Sequence, residues 1–198
     1  MESPQEQKKR LRKEHLAVRN TMTEEEILSK SHVIMESVVS SYDFLNTKTV
    51  LIYASYGSEV NTMGIIEYAF LLKKEVYCPK VTGEGKMEFF RIHSLEELSA
   101  GYKGILEPFA QDAKRYHFDG TKKALVIMPG VCFDERGNRI GYGKGFYDRF
   151  LSDKKRILKM ALAYDNQITE ELKADDGDVS YDFLVTELQT ICLLEDDE

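Results

Sequence analysis

The 198 residues suffice for one ordinary domain, which would bury roughly 70% of its unfolded surface around a single core. With 42% hydrophobic and 31% charged residues the composition is that of a globular chain, and a net charge of -7 (27 Lys and Arg against 34 Asp and Glu) disfavours a polyanion as main partner. No apolar run approaches the roughly 18 residues of a membrane span and MESPQEQKKRLRKEH has no apolar stretch of a signal peptide, so the expectation is a cytoplasmic monomer without membrane or nucleic-acid partner.

In chain order, Leu11, His15 and Val18 recur at helical spacing among charges, with Lys8 and Arg12 four residues apart on one side: a surface helix with a basic face. Lys8, Lys9, Arg10, Arg12, Lys13 and Arg19 make this end basic, whereas EDDE at 195–198 makes the other acidic. Thr23 and Glu26 form a capping-box pattern ahead of a second helix carrying Ile27, Ile34 and Val38. TVLIY at 49–53 reads as a strand buried on both faces, followed by the loop ASYGSEVNT and an amphipathic helix over 63–74. Strands follow at EVYCP and MEFFRI, then a polar loop region to Gly120 and the strand ALVIM at 124–128 before Pro129-Gly130. A helix from about Gly145, a strand over 160–164 and short strands over 183–186 and 190–194 complete the chain. This alternation predicts an α/β fold: a single domain over 1–198 with a mainly parallel sheet flanked by helices on both faces, a Rossmann-like three-layer arrangement.

Cys78, Cys132 and Cys192 lie too far apart for a disulfide framework or metal spacing and are expected to be reduced, buried thiols. His15, His32, His93 and His117 read as surface or packing residues, and Tyr53, Tyr56, Phe89 and Phe90 as core in preference to flanks for a planar ring.

The densest chemistry lies in MPGVCFDERGNRIGYGKGFYDRFL, where Gly137, Gly141, Gly143 and Gly145 crowd a strand-to-helix connection. Glycines so placed let backbone N–H groups converge on an anion, with the following helix pointing its positive end at the same spot. Lys144 adds a mobile charge and Arg139 a fork of donors. The dinucleotide fingerprint fails at Phe146, and the P-loop pattern fails at Asn138 and Gly145. A lone Gly-x-Gly is more often a plain turn; the interleaved Lys and Arg favour a phosphate site. Asp148 suits either a dipole-favoured helix start, worth about 0.3–1 kcal/mol, or a Mg²⁺ ligand beside phosphate.

The run PGVCFDERGNRIGYGKGFYDRFL resembles the signature of the 5-formyltetrahydrofolate cyclo-ligase family, in which Pro-Gly, Phe-Asp, Arg-Leu/Ile-Gly-x-Gly-x-Gly-Tyr/Phe-Tyr-Asp and Leu follow in that order. KKRLR, YASYGSEVNT, ILEP and DVSYDFLVTE extend the likeness over nearly the whole chain. The resemblance implies ATP- and Mg²⁺-dependent closure of 5-formyltetrahydrofolate to 5,10-methenyltetrahydrofolate, with phosphorylation of the formyl oxygen and no dedicated general base. It implies that Lys8, Lys9, Arg10, Leu11 and Arg12, with Arg139, Ile140, Gly141, Tyr142, Gly143, Lys144, Gly145, Phe146 and Tyr147, surround the nucleotide. Ala54, Glu59 and the segment from Tyr142 to Phe146 would take the folate, Glu59 accepting from the pterin edge; without the resemblance Glu59 reads as a solvated loop residue. Arg139, Lys144 and Tyr147 would be catalytic, and Asp148 and Asp178 would bind Mg²⁺. Relatives carry His-Asp near a proline where this chain has Asp175-Asp176-Gly177-Asp178, so the second metal position stays open among Asp175, Asp176 and Asp178. Two rival functions are a nucleotide-sensing module without turnover and a basic helix docking on nucleic acid.

Overall fold

Two capping boxes set the first helices of the computed structural model, which describes residues 2–154 and 156–194. Ser3 Oγ accepts from Glu6 N at 3.3 Å while the Glu6 carboxylate accepts from Ser3 N at 2.9 Å, opening α1 (Pro4–Arg19). Thr23 and Glu26 repeat the arrangement at α2 (Glu24–Ser40), as their spacing predicts. The helix α1 is more than a surface helix, because Leu11 and Arg19 are buried. The acidic run at 195–198 lies outside the described residues.

After α3 (Tyr42–Asn46) come β1 (Thr49–Ile52), α4 (Met63–Leu71), β2 (Glu75–Gly83) and β3 (Lys86–Ile92). The fourth helix ends three residues before the predicted 74, where Lys73 turns left-handed at φ 56°. Next are β4 (Leu98–Ala100) and β5 (Leu106–Pro108), an antiparallel pair within the region read as loop, then β6 (Ala124–Met128). The remaining elements are β7 (Cys132–Asp134), β8 (Arg139–Ile140), α5 (Phe146–Leu151), β9 (Ile157–Leu162), β10 (Ile168–Thr169), β11 (Phe183–Val185) and β12 (Thr190–Cys192). The ninth strand begins three residues before the predicted 160 and ends two before 164.

The large sheet has the order β12-β11-β9-β6-β1-β2-β3, its five inner strands parallel and both edges antiparallel. Every residue of β1 and β6 is buried, which is why both read as unbroken apolar runs. The strand period of two sends Val50, Ile52, Leu125 and Ile127 to a cluster with Ile34, Val38, Phe44, Ile65 and Ile66 from α2, α3 and α4. Leu51, Val126 and Met128 face the opposite cluster with Phe89, Phe133, Leu151 and Tyr181, covered by α5 and the segment bearing Tyr116 and Phe118. Tyr53, Phe89 and Phe90 are core as expected, but Tyr56 is 49% exposed. Cys78 and Cys132 are buried; Cys192, on the edge strand β12, is exposed, which corrects that expectation.

From β1 the chain crosses to β2 on one side, and from β6 to β9 on the other. The carboxyl ends of β1 and β6 therefore flank a reversal of strand order, where an open α/β sheet leaves a crevice.

Beside it stands a small sheet, β10-β7-β8, ordered by one buried carboxylate. Asp134 Oδ1 accepts from Arg136 N at 3.0 Å and Asn138 N at 2.9 Å, while Oδ2 accepts from Asn138 Nδ2 and Leu172 N, both at 2.9 Å. Asp134→Ala orphans these donors, so a loss of about 3 kcal/mol is expected in denaturant unfolding. An unchanged midpoint would show that water replaces the carboxylate.

Candidate active site

A cleft of about 490 Å³ opens at the carboxyl ends of β1 and β6. Its first wall is the loop after β1, pinned by its own polar groups. Tyr53 Oη donates to Val60 O at 3.0 Å, Thr62 Oγ1 to Tyr53 O at 2.7 Å, and Tyr164 Oη to Glu59 O at 3.1 Å. The result is a Glu59 only 8% exposed, with Oε2 accepting from Tyr56 N at 2.9 Å. Burial lifts the Glu59 carboxyl above the usual range, opposed by the Tyr56 amide, the Tyr142 hydroxyl and the charge of Arg19. Glu59 is thus a buried acceptor and not a solvated loop residue. Ala54 lines the same wall.

The second wall is the glycine loop. The short strand β8 fixes Arg139, whose Nη2 donates to Asp148 Oδ1 at 2.7 Å and whose guanidinium lies 5.6 Å from the Tyr147 ring centroid. Arg139 Nε and Tyr147 Oη are buried without partners among the described residues, and burial pushes the Tyr147 phenol well up. Arg12 reaches in from α1, Nε donating to Gly141 O at 2.8 Å. Gly143 lies flush against that guanidinium: a Cβ there would sit 3.3 Å from Arg12 Cζ, at φ +85°. Lys144 is exposed; its carbonyl accepts from the Arg149 guanidinium, which also holds Gly85 O at 2.7 Å, while its ammonium forms no ion pair among the described residues. Since α5 has only six residues, an anion here would rest on loop amides and cations and not on a long helix dipole.

All of Arg139, Ile140, Gly141, Tyr142, Gly143, Lys144, Gly145, Phe146, Tyr147 and Asp148 line the cleft, as do Lys8, Arg12 and Asp178. Asp178 Oδ2 accepts from Asp175 N at 2.8 Å and from Lys8, whose Nζ also lies 2.7 Å from Asp175 Oδ2. Burial works against the charge on Lys8, but these acidic partners outweigh it and raise its pKa. Of the three aspartates left open, Asp178 faces the cleft; Asp175 meets it through Lys8, and Asp176 is not among its walls.

Lys9, Arg10 and Leu11 are placed elsewhere. Lys9 is exposed, Arg10 pairs with Glu2 and Glu14 at 3.0 Å each, and Leu11 packs with Cys132, Ile140 and Leu172. Helical rotation brings only every third or fourth residue of KKRLR to the cleft. None of the four histidines lines it. Sequence reasoning missed Arg19, though its distance of seven from Arg12 returns it to the same helix face. It also missed Glu107, 5% exposed, which accepts from Val81 N at 3.1 Å and pairs with Lys80 at 3.3 Å. Tyr56, Tyr102 and Tyr142 give the cleft an aromatic rim.

A sequence model of the 5-formyltetrahydrofolate cyclo-ligase family matches residues 4–187. A probable 5-formyltetrahydrofolate cyclo-ligase of Caenorhabditis elegans is 30% identical over 202 residues, covering 96% of this chain and 98% of its own. One from Schizosaccharomyces pombe is 33% identical over 172 residues, covering 80% and 84%. The NMR structure of the 5,10-methenyltetrahydrofolate synthetase of Aquifex aeolicus superposes with a TM-score of 0.83 at 34% identity, over 96% of this chain and 95% of that one. Signature, superposed fold and matches over nearly the full length agree, and the chain belongs to the 5-formyltetrahydrofolate cyclo-ligase family.

Proposed function

We propose that this enzyme, with Mg²⁺ as cofactor, converts 5-formyltetrahydrofolate and ATP to 5,10-methenyltetrahydrofolate, ADP and phosphate, and that residues 1–198 act as one monomeric, cytoplasmic catalytic domain. The observation that carries the reading is that one cleft joins a buried acceptor, Glu59, to a cationic glycine loop with Arg12, Arg139 and Lys144. Such a cleft suits a substrate with an amino-pyrimidinone edge at one end and a phosphate chain at the other.

A formyl amide oxygen leaves poorly. In the reaction proposed, that oxygen bonds to the γ-phosphorus as the bond to ADP breaks; N10 then bonds to the formyl carbon, and the oxygen departs within inorganic phosphate. The N10 proton leaves with the phosphate, so no side chain is required as general base. Glu59 accepts two parallel N–H bonds from the pterin edge and fixes the ring's orientation. Lys144 and Arg139 neutralise charge on the transferring group, Arg12 and Lys8 hold the remaining phosphates, and the amides of Gly141, Gly143 and Gly145 supply directed dipoles. Tyr147 offers a hydroxyl that has no partner among the described residues from the buried side of the cleft. The rings of Tyr56, Tyr102, Tyr142 and Phe146 keep water from the activated carbon.

Among the described residues no group of three or more His, Cys, Asp or Glu gathers to form a metal cage. Two carboxylates, Asp148 and Asp178, fit a Mg²⁺ that completes its shell with phosphate oxygens and water. Bound there, the ion would supply charge neutralisation on the phosphates. The test is to mix purified protein with 5-formyltetrahydrofolate and Mg-ATP and follow the near-ultraviolet absorbance of the methenyl product. Product is expected only with nucleotide and metal present; no nucleotide-dependent product overturns the reading.

A further inference from the structure

Arg19, the last residue of α1, is 3% exposed, yet among the described residues it forms no ion pair. A cation so buried is retained only where its donors are satisfied. Its three bonds go to three segments that border the cleft: Nε to Ser58 Oγ at 3.0 Å, Nη1 to Gly130 O at 3.1 Å and Nη2 to Tyr142 Oη at 2.5 Å. Ser58 precedes Glu59 in the loop after β1, Gly130 follows β6, and Tyr142 lies in the glycine loop. The Tyr142 hydroxyl and the charge of Arg19 both favour the ionised form of the Glu59 carboxyl, so guanidinium and phenol act together on it. We propose that Arg19 is a positioning residue for the pterin end of the cleft, fixing Tyr142 and the Ser58 loop so that Glu59 stays aimed and its charge compensated. The proposal rests on the reading of Glu59 given above.

The groups that face Glu59 come from five elements: Arg19 from α1, Tyr142 from the glycine loop, Tyr53 after β1, Tyr147 on α5 and Tyr164 after β9. Four are phenols. Arg19 is the cation of the set, with Arg139 beyond the Tyr147 ring. A plain structural brace would affect both ligands together. A positioning residue that compensates Glu59 would affect folate selectively, and would move the pH at which folate affinity falls on acidification.

Full-length parent, Arg19→Met, Arg19→Lys and Tyr142→Phe proteins are titrated with 5-formyltetrahydrofolate and, separately, with a non-hydrolysable Mg-ATP analogue, from mildly acidic to neutral pH. Arg19→Met is expected to weaken folate binding about tenfold, the worth of a hydrogen bond to a charged group, with nucleotide affinity within about twofold. Its acid limb of folate affinity should move to higher pH, and Arg19→Lys should restore much of that limb. Tyr142→Phe removes the phenolic link while leaving the other two Arg19 bonds, so it keeps the test decisive if Arg19→Met does not fold. Its expected signature is the same selective loss and the same direction of shift. Equal losses for both ligands, or an unshifted acid limb in these variants, overturn the positioning role. A parent protein that binds no 5-formyltetrahydrofolate overturns the reading of Glu59 beneath it, which is a different result from a parent that binds and variants that match it.

Discussion

Lys144→Met is expected to lower kcat and kcat/KM for ATP together by about a hundredfold or more, the scale of losing one preorganised stabilising donor, while circular dichroism and Tm match the parent. The reason folding should not respond lies in the geometry: the side chain is exposed, its ammonium has no ion pair among the described residues, and only its backbone carbonyl is used, by Arg149. Those contacts survive the substitution. Gly143 and Gly145, at φ 85° and 59°, and the bonds from Arg12 and Arg149 hold the peptide units on either side, so the ammonium is carried on a fixed base with a mobile tip. In the proposed reaction such a charge would meet the transferring phosphoryl group more strongly than bound ATP, so the loss is expected in kcat and not only in KM. The check is steady-state formation of the methenyl product at saturating folate. Near-normal turnover would move the role to Arg139, Arg12 and the loop amides.

The central sheet was legible because burial on both faces leaves its mark directly in sequence: β1 and β6 have no polar face to hide, and both read as apolar runs. The second helix was legible through Thr23 and Glu26, whose pairing is local. What escaped was whatever depends on distant partners. The strands β7, β8 and β10 hold two or three residues each, too few for a period to show, and are ordered by Asp134 and its donors, up to 38 positions away in the case of Leu172. The basic N-terminal run named its chemistry but not its geometry, since only Lys8 and Arg12 turn toward the cleft while Leu11 enters the core. Arg19 read as one more surface charge, for nothing local announces that Ser58, Gly130 and Tyr142 converge on it. The run from Arg139 to Asp148 could be read as one wall because its residues are contiguous and each lines the cleft, whereas Gly137, grouped with the same glycines, lies against Leu193 and Ser180.

Glu59→Gln is expected to weaken 5-formyltetrahydrofolate binding by about 1–3 kcal/mol while ATP binding stays near the parent value and the fold is kept. The amide can still accept from Tyr56 N, so the loop after β1 loses no internal bond. It cannot offer two acceptor oxygens to the pterin edge, and it faces that edge with donors of its own. Stability should move the other way. Burial raises the Glu59 pKa, so the folded state holds this proton more readily than the unfolded chain does. The contribution of such a group is most favourable below the usual glutamate range and is lost as pH rises through the higher folded value. At neutral pH the parent therefore carries a cost, set by that raised pKa, that Glu59→Gln lacks, and the variant's Tm should equal or exceed the parent's. Acidification through the usual glutamate range should close that gap, because both proteins are then neutral at this position. Calorimetric titration of each ligand, with melting measured at neutral and acidic pH, separates the two effects. Equal losses for folate and nucleotide would remove Glu59 from the pterin, and a lower Tm at neutral pH that persists in acid would make the carboxylate a structural group held in place by Tyr56, Tyr142 and Arg19.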